Sequence, residues 1–316
     1  MQLNTIETGE SAVSEPQPKK EQTNAQILTF VVILSFACAL ILSILASALQ
    51  QPKEIAKELD RSEQMLIAAK IFSHEGYFLI EDENGEHQPA KFENGVLVPG
   101  SKEDRASSAD ILEIYKTRLV PFLVDNKGEL TTFQKAKINY KNYIAEYKKT
   151  GYYKQPNKLI YEILPNKKSD ELKEAKPIGY VIPVNGAGLW DAIYGYLAVK
   201  PDGDTVIGIS WYEQKETPGL GANIADAEWQ SHFPGKMIFQ ESPDGSTDFK
   251  SASVGITVVK GKVAEALGDS PKAKSAVDGM AGATLTGNGV TNAYRDVLEA
   301  YRPFFIKIHD ESQQSK

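Results

Sequence analysis

The 316 residues are 41% hydrophobic and 24% charged, enough apolar material for the core of one medium or two small domains. The net charge is −7 and the 35 Lys and Arg are scattered, which argues against nucleic-acid binding, a task that wants a basic face. Cys38 is the only cysteine, so an internal disulfide, a cysteine-ligated iron–sulfur cluster and a cysteine-rich zinc site are excluded.

Residues 1–26 are polar, carry Pro16 and Pro18, and read as a disordered tail. Residues 27–49 are 23 positions without a charge. At about 1.5 Å per residue they span a hydrocarbon layer of roughly 30 Å. Ala46-Ser47-Ala48 resembles a signal-peptide cleavage site, but a signal's apolar region is usually about 7–15 residues, so a retained anchor is the reading. Cys38 inside it serves as a small apolar residue. Lys19 and Lys20 precede the span, and Lys53, Lys57 and Arg61 follow it, so flanking charge does not set its orientation.

Beyond the anchor, residues 54–72 put Ile55, Leu59, Leu66 and Ala69 near one helical face. Residues 76–80 read as a strand and the polar stretch 81–90 as a surface loop. Asn94-Gly95, between Lys91-Phe92 and Val96-Leu97-Val98, predicts a hairpin. Ile111, Leu112, Ile114, Tyr115 and Leu119 predict a helix over 109–119, ended by Pro121. Residues 132–149, rich in Lys and Tyr, have a helical pattern whose charges form a solvated face. Strands are expected at 159–164, 178–184, 205–211 and 253–260, a loop at 213–221 and a helix at 224–232. In 289–304, Val290, Ala293, Tyr294, Val297, Leu298 and Tyr301 fall on one apolar helical stripe.

Three segments carry chemistry. Asp278-Gly279-Met280-Ala281-Gly282-Ala283-Thr284-Leu285-Thr286 is a run of small residues ending in two hydroxyls directly before that helix. Glycines let backbone approach a ligand, and a helix start offers free N–H groups that suit a phosphate. By composition alone the run is also a tight turn with an N-cap. Asn185-Gly186-Ala187-Gly188-Leu189-Trp190 follows a strand. It is no dinucleotide fingerprint, because Asp191 takes the third glycine position; the plain reading is a glycine turn with Trp190 in the core. Glu216-Thr217-Pro218-Gly219-Leu220-Gly221 is by composition a Pro-Gly turn. His74, His87, His232 and His309 lack metal-ligand spacing, and no nucleophile–base set is apparent, so neither metal nor catalytic residues are assigned.

The first run resembles the flavinylation motif of the FMN-binding domain family: Asp, Gly, any residue, Ser or Thr, Gly or Ser, Ala, Thr. Asp278, Gly279, Gly282, Ala283 and Thr284 match, and Ala281 departs where the family has Ser or Thr. The other two segments resemble recurring patterns in the C subunits of the sodium-translocating NADH:quinone oxidoreductases; the G subunit of the related Rnf complex shares the layout. The likeness covers roughly residues 27–72 and 177–305, and residues 73–160 carry no motif.

The resemblance implies an α+β protein: one transmembrane helix, then an extracytoplasmic FMN-binding domain with mixed or antiparallel sheet and flanking helices. It implies a cytoplasmic tail at 1–26, an anchor at 27–49, a membrane-proximal helix and α/β region at 50–176, the FMN-binding domain at 177–305 and a C-terminal tail at 306–316. FMN would be a phosphoester on Thr284, its oxygens met by N–H groups of residues 282–286, Leu285 among them. Thr286 would be an N-cap or second hydroxyl donor. Glu216 and Thr217 would hydrogen-bond the flavin or its ribityl chain, Glu216 tuning its potential. Leu189, Trp190 and Leu220 would give apolar surface beside the ring. The implied partners are the other subunits of a bacterial inner-membrane complex, a flavin transferase and the lipid bilayer. The bulk of the chain would be periplasmic, and electron relay to quinone would be coupled to outward sodium movement. An Rnf-type G subunit or a stand-alone membrane-tethered flavoprotein is the nearest rival reading, and an unmodified extracytoplasmic binding or structural module is the second.

Overall fold

The computed structural model describes residues 23–314 apart from 83 and 173. Most of the expected tail at 1–26 therefore lies outside the described residues. Contacts divide the chain into two units, residues 1–56 and 57–316.

The first unit is dominated by helix α1 (Asn24–Ala48), 25 residues long and apolar enough to cross a membrane. None of its side chains is buried by protein, the state a lipid-facing helix requires. Thr23 and Gln26 form a capping box at its start, which satisfies N–H groups the first turn leaves open. Helix α2 (Gln50–Ala68) begins here, and its residues from 57 onward belong to the second unit.

The second unit opens with β1 (Phe78–Glu81), β2 (His87–Glu93) and β3 (Val96–Pro99), an antiparallel three-stranded sheet. Asn94 and Gly95 adopt φ of 51° and 86°, the left-handed pair that a two-residue hairpin needs. Residues 87–90, expected as loop, are part of β2. Helix α3 (Ser108–Arg118) is capped by Ser107 and gives way to β4 (Leu119–Val124). Pro121 does not end the helix; it lies inside β4, on a stretch paired on one side only, where its missing N–H costs no bond. Strand β5 (Leu130–Thr131) and helix α4 (Tyr140–Tyr147) follow. The helix is shorter than the expected 132–149, because Lys137 turns left-handed (φ 57°) and Asn139 caps a new start.

Next come β6 (Lys158–Ile163), β7 (Gly179–Ala187), β8 (Ala192–Val199), β9 (Val206–Glu213), α5 (Ala227–Gln230), β10 (Thr257–Val258), α6 (Val263–Ala266), β11 (Ala276–Val277) and α7 (Thr284–Gln314). Strand β8 was not anticipated, and of the strand expected at 253–260 only β10 forms, parallel to β11. The region expected as a helix at 224–232 is a 3-10 turn (Gly221–Ala225) followed by the one turn of α5. Residues 306–314, expected as tail, continue α7, with Phe304, Phe305 and Ile308 buried and holding the helix together past Pro303.

The main sheet has six antiparallel strands in the order β5-β4-β6-β7-β8-β9, and β6 pairs with β7 across the expected boundary at 176/177. It is covered on both faces. Side chains of Tyr180, Ile182 and Val184 in β7, and Ile193, Leu197 and Val199 in β8, join a core with α7. Their alternates Val181, Tyr196 and Ala198 join a second core with α2, α3 and α4. A strand wetted on neither face has no polar alternation to display, so it reads as a continuous apolar run.

Helix α7 sits against the end of β7 through glycine. A Cβ on Gly289 would lie 2.2 Å from the Ala187 carbonyl oxygen, so no other residue allows this approach. The contact puts the first turn of α7 beside the loop between β7 and β8.

Candidate functional site

The three motif segments, far apart in sequence, converge on Glu216. Glu216 is only 5% exposed although it sits in a loop. Its Oε2 accepts from the Leu189 N–H at 3.1 Å and from the Thr286 hydroxyl at 2.5 Å. Its Oε1 accepts from the Trp190 N–H at 3.0 Å. The indole Nε1 of Trp190 donates to Thr217 Oγ1 at 3.2 Å. Burial pulls the Glu216 carboxyl upward. The hydroxyl of Thr286 and the N–H groups of Trp190, Leu189 and Asp191 outweigh that and hold it below the usual glutamate range. One carboxylate thus staples the β7–β8 loop, the 216–221 loop and the first turn of α7.

Thr286 is therefore neither an N-cap nor a donor to an incoming ligand: it lies inside α7, 1% exposed, with its hydroxyl committed to Glu216. Glu216 itself accepts three hydrogen bonds from protein donors. Thr284 differs in every respect. It is the first residue of α7, it is exposed, and its hydroxyl has no partner among the described residues. The first bond of the helix runs from the Gly287 N–H to the Ala283 carbonyl, so among the described residues the N–H groups of 284–286 are unclaimed. A phosphate oxygen is the acceptor such a helix start suits.

The turn before α7 is fixed from below. Gly279 packs so close that a Cβ would lie 2.0 Å from the Val259 carbonyl oxygen, and its N–H donates to Gly261. Asp278 accepts from the Val263 N–H at 2.8 Å, and its carbonyl takes the Trp229 indole N–H at 3.0 Å. Asp278 thus organises the loop rather than facing a ligand. Ala283 is buried, and Gly282 turns left-handed (φ 72°) against Leu220, whose Cδ2 a Cβ there would meet at 2.9 Å. Trp229 and Val263 are parts of the site that carry no local signal; only the fold brings them to Asp278. Overpacking usually costs about 1–3 kcal/mol. Gly279→Ala is accordingly expected to lower the melting temperature by several degrees, at roughly 2–4 °C per kcal/mol for a unit this size. A melt superimposable on the wild type is the contrary result.

Around Thr284 the surface is apolar. Leu189 (47% exposed), Trp190 (69%), Leu220 (40%) and Leu285 (61%) all show large hydrophobic side chains to solvent. Trp190 is therefore not the core residue its type leads one to expect. Among the described residues of the second unit, Ile178 is the one other exposed large hydrophobic. Clustering at one place marks a surface that something covers. Asp191 and Lys215 pair across the two loops, but both are exposed and the pair adds little stability. The described residues thus fit a phosphorylated, flat aromatic ligand: open N–H donors and a free hydroxyl at one end, apolar and indole surface beside them.

Residues 188–299 match the FMN-binding domain family. A protein with an apolar N-terminal helix and an FMN-binding domain is the class that fold and site define. The chain is 39% identical over 311 residues to the C subunit of Na(+)-translocating NADH-quinone reductase from Chlamydia caviae, covering 95% of this chain and 97% of the relative. It is 40% identical over 301 residues to the protein of the same name from Chlamydia pneumoniae, covering 92% and 94%. Two crystal structures share the fold, each with a TM-score of 0.50. That of the C subunit from Parabacteroides distasonis is 23% identical, covering 81% of this chain and 96% of the other. That of Shewanella oneidensis NqrC is 24% identical, covering 81% and 99%. The chain belongs to the family of Na(+)-translocating NADH-quinone reductase C subunits.

Proposed function

We propose that this chain carries FMN as a phosphoester on the Thr284 hydroxyl and serves as an electron relay in a Na(+)-translocating NADH-quinone reductase. One observation carries the reading: an exposed, unpartnered hydroxyl stands at an open helix start amid the second unit's main cluster of exposed apolar side chains. The names of the relatives supply the complex. FMN, when bound, supplies reversible uptake of one or two electrons.

The chain's own residues hold and place that group. N–H groups of 284–286 and the positive end of α7 meet the phosphate. Leu189, Trp190, Leu220 and Leu285 lie beside the ring and exclude water from it. Glu216 acts through the loops it staples, and Thr217 acts by fixing the Trp190 indole. Asp278, Gly279, Gly282 and Ala283 shape the turn that presents Thr284. Helix α1 anchors the chain in a bacterial inner membrane with residues 57–316 on the periplasmic side, where a flavin transferase reaches Thr284. The other subunits of the complex are the electron partners, and sodium moves outward as electrons pass to quinone.

Mass spectrometry of the peptide spanning residues 275–295, from the complex isolated from its native host, reads the central claim. The expected result is an added mass of one FMN less one water, on Thr284 and not on Thr286. An unmodified peptide from that source rejects it.

A further inference from the structure

Strand β7 has nine residues rising about 3.3 Å each. At the end opposite the Thr284 site, roughly 25 Å away by that rise, the second unit holds a cavity of about 610 Å³. That is a volume suited to small-molecule ligands. Its apolar wall includes Ile71, Leu79, Ile163, Ile178 and Ile207. Ile178, at its rim, is the exposed large hydrophobic that the Thr284 site does not account for.

The polar side of the cavity is cationic. Lys70, Arg118 and Lys200 line it against one carboxylate, Glu81. Arg118 is the informative member. It is only 5% exposed, and its Nε donates to the Leu164 carbonyl. Its two Nη groups find no acceptor among the described residues. Burial pushes its guanidinium down to about 10. A buried cation without a counter-ion is costly, and proteins pair such groups or neutralise them. Among the described residues no ion pair to Arg118 forms, and Arg118 lines a roomy cavity.

We propose that this cavity binds an amphipathic anion, its phosphate or carboxylate head on Arg118 with Lys70 and Lys200 nearby, and its apolar body along Ile71, Ile163 and Ile207. The fork of a guanidinium matches such a head in two parallel hydrogen bonds. A lipid and a water-soluble organic phosphate share this chemistry, and the test separates them.

The test is calorimetric titration of the full-length protein in lipid nanodiscs, against empty nanodiscs, with octyl phosphate, octanol and inorganic phosphate. Saturable binding of octyl phosphate is expected, at least tenfold tighter than that of octanol or inorganic phosphate. Arg118→Gln abolishes it, and Lys200→Glu, on the exposed rim, weakens it at least tenfold. Because Arg118 also holds the Leu164 carbonyl, Lys200→Glu keeps the test decisive where Arg118→Gln does not fold. Heat no greater than that of empty nanodiscs overturns the proposal, as does an affinity untouched by Lys200→Glu. Inorganic phosphate binding as tightly as octyl phosphate overturns it too, since the apolar wall would then do nothing. Solvent extraction of the complex identifies the source: stoichiometric lipid points to the bilayer, and a soluble phosphate displaced by octyl phosphate points to the aqueous phase.

Discussion

Thr284→Ala abolishes the ultraviolet fluorescence of the denatured protein band while leaving the melting temperature of the apoprotein nearly unchanged. The two halves of that result have separate causes. The hydroxyl is the proposed attachment point, so its loss removes the bond and not a mere fraction of it. It is also exposed and unpartnered within the chain, at a helix position where alanine is the better helix former. Surface changes of this kind usually shift stability by no more than about 0.5 kcal/mol. Thr284→Ser keeps the hydroxyl and is expected to keep the flavin. Thr286→Ala shows the reverse pattern. Two residues along a helix turn the side chain by about 200°, so both hydroxyls cannot face one phosphate. Thr286 points inward and donates to Glu216 at 2.5 Å. Its loss leaves a buried carboxylate short of a donor, at a cost of about 1–3 kcal/mol, with fluorescence retained. A fluorescent Thr284→Ala band, or a dark Thr286→Ala band on a folded protein, would falsify the assignment.

Local signals were legible where one element settles its own structure. The uncharged run that becomes α1, the Asn94-Gly95 turn and the apolar stripe of α7 each follow from short-range physics. Strand β8 was not legible because both its faces are covered and Gly195 interrupts it. The expected helix began at 289, whereas α7 starts at Thr284 and carries Gly287 and Gly289 inside it. Gly289 is there for contact with the Ala187 carbonyl, and packing overrides its weak helix propensity. The motifs marked the segments of the site but not the direction of each side chain. Trp190 was readable as core and is 69% exposed; Glu216 was readable as a hydrogen-bonding partner of the flavin and accepts from Leu189, Trp190 and Thr286. Direction depends on which other segment lies opposite, and that is settled only by the fold.

Glu216→Ala lowers the melting temperature by about 5–10 °C. Three donors lose their acceptor at once, and bonds to a charged group are worth about 1.5–3 kcal/mol each before water replaces part of the loss. A net cost of about 2–4 kcal/mol converts at roughly 2–4 °C per kcal/mol. Glu216→Gln keeps the shape but turns an amide N–H toward donors, so it destabilises less and differs in its response to pH. The Glu216 carboxyl is held below its ordinary value in the folded protein. Its stabilisation is therefore complete above about 4.3, the usual glutamate value, and is lost as pH falls through the lower folded value. Wild-type and Glu216→Gln stabilities are expected to differ at pH 7 and to converge below about pH 4. A constant gap across that range excludes the carboxylate as the source. The same substitution bears on redox tuning. A negative charge near the ring disfavours electron uptake, so Glu216→Gln raises the flavin midpoint potential if the carboxylate acts through its field. An unchanged potential with the expected stability loss leaves Glu216 as the staple that holds Leu189 and Trp190 beside Thr284, acting on the flavin through position alone.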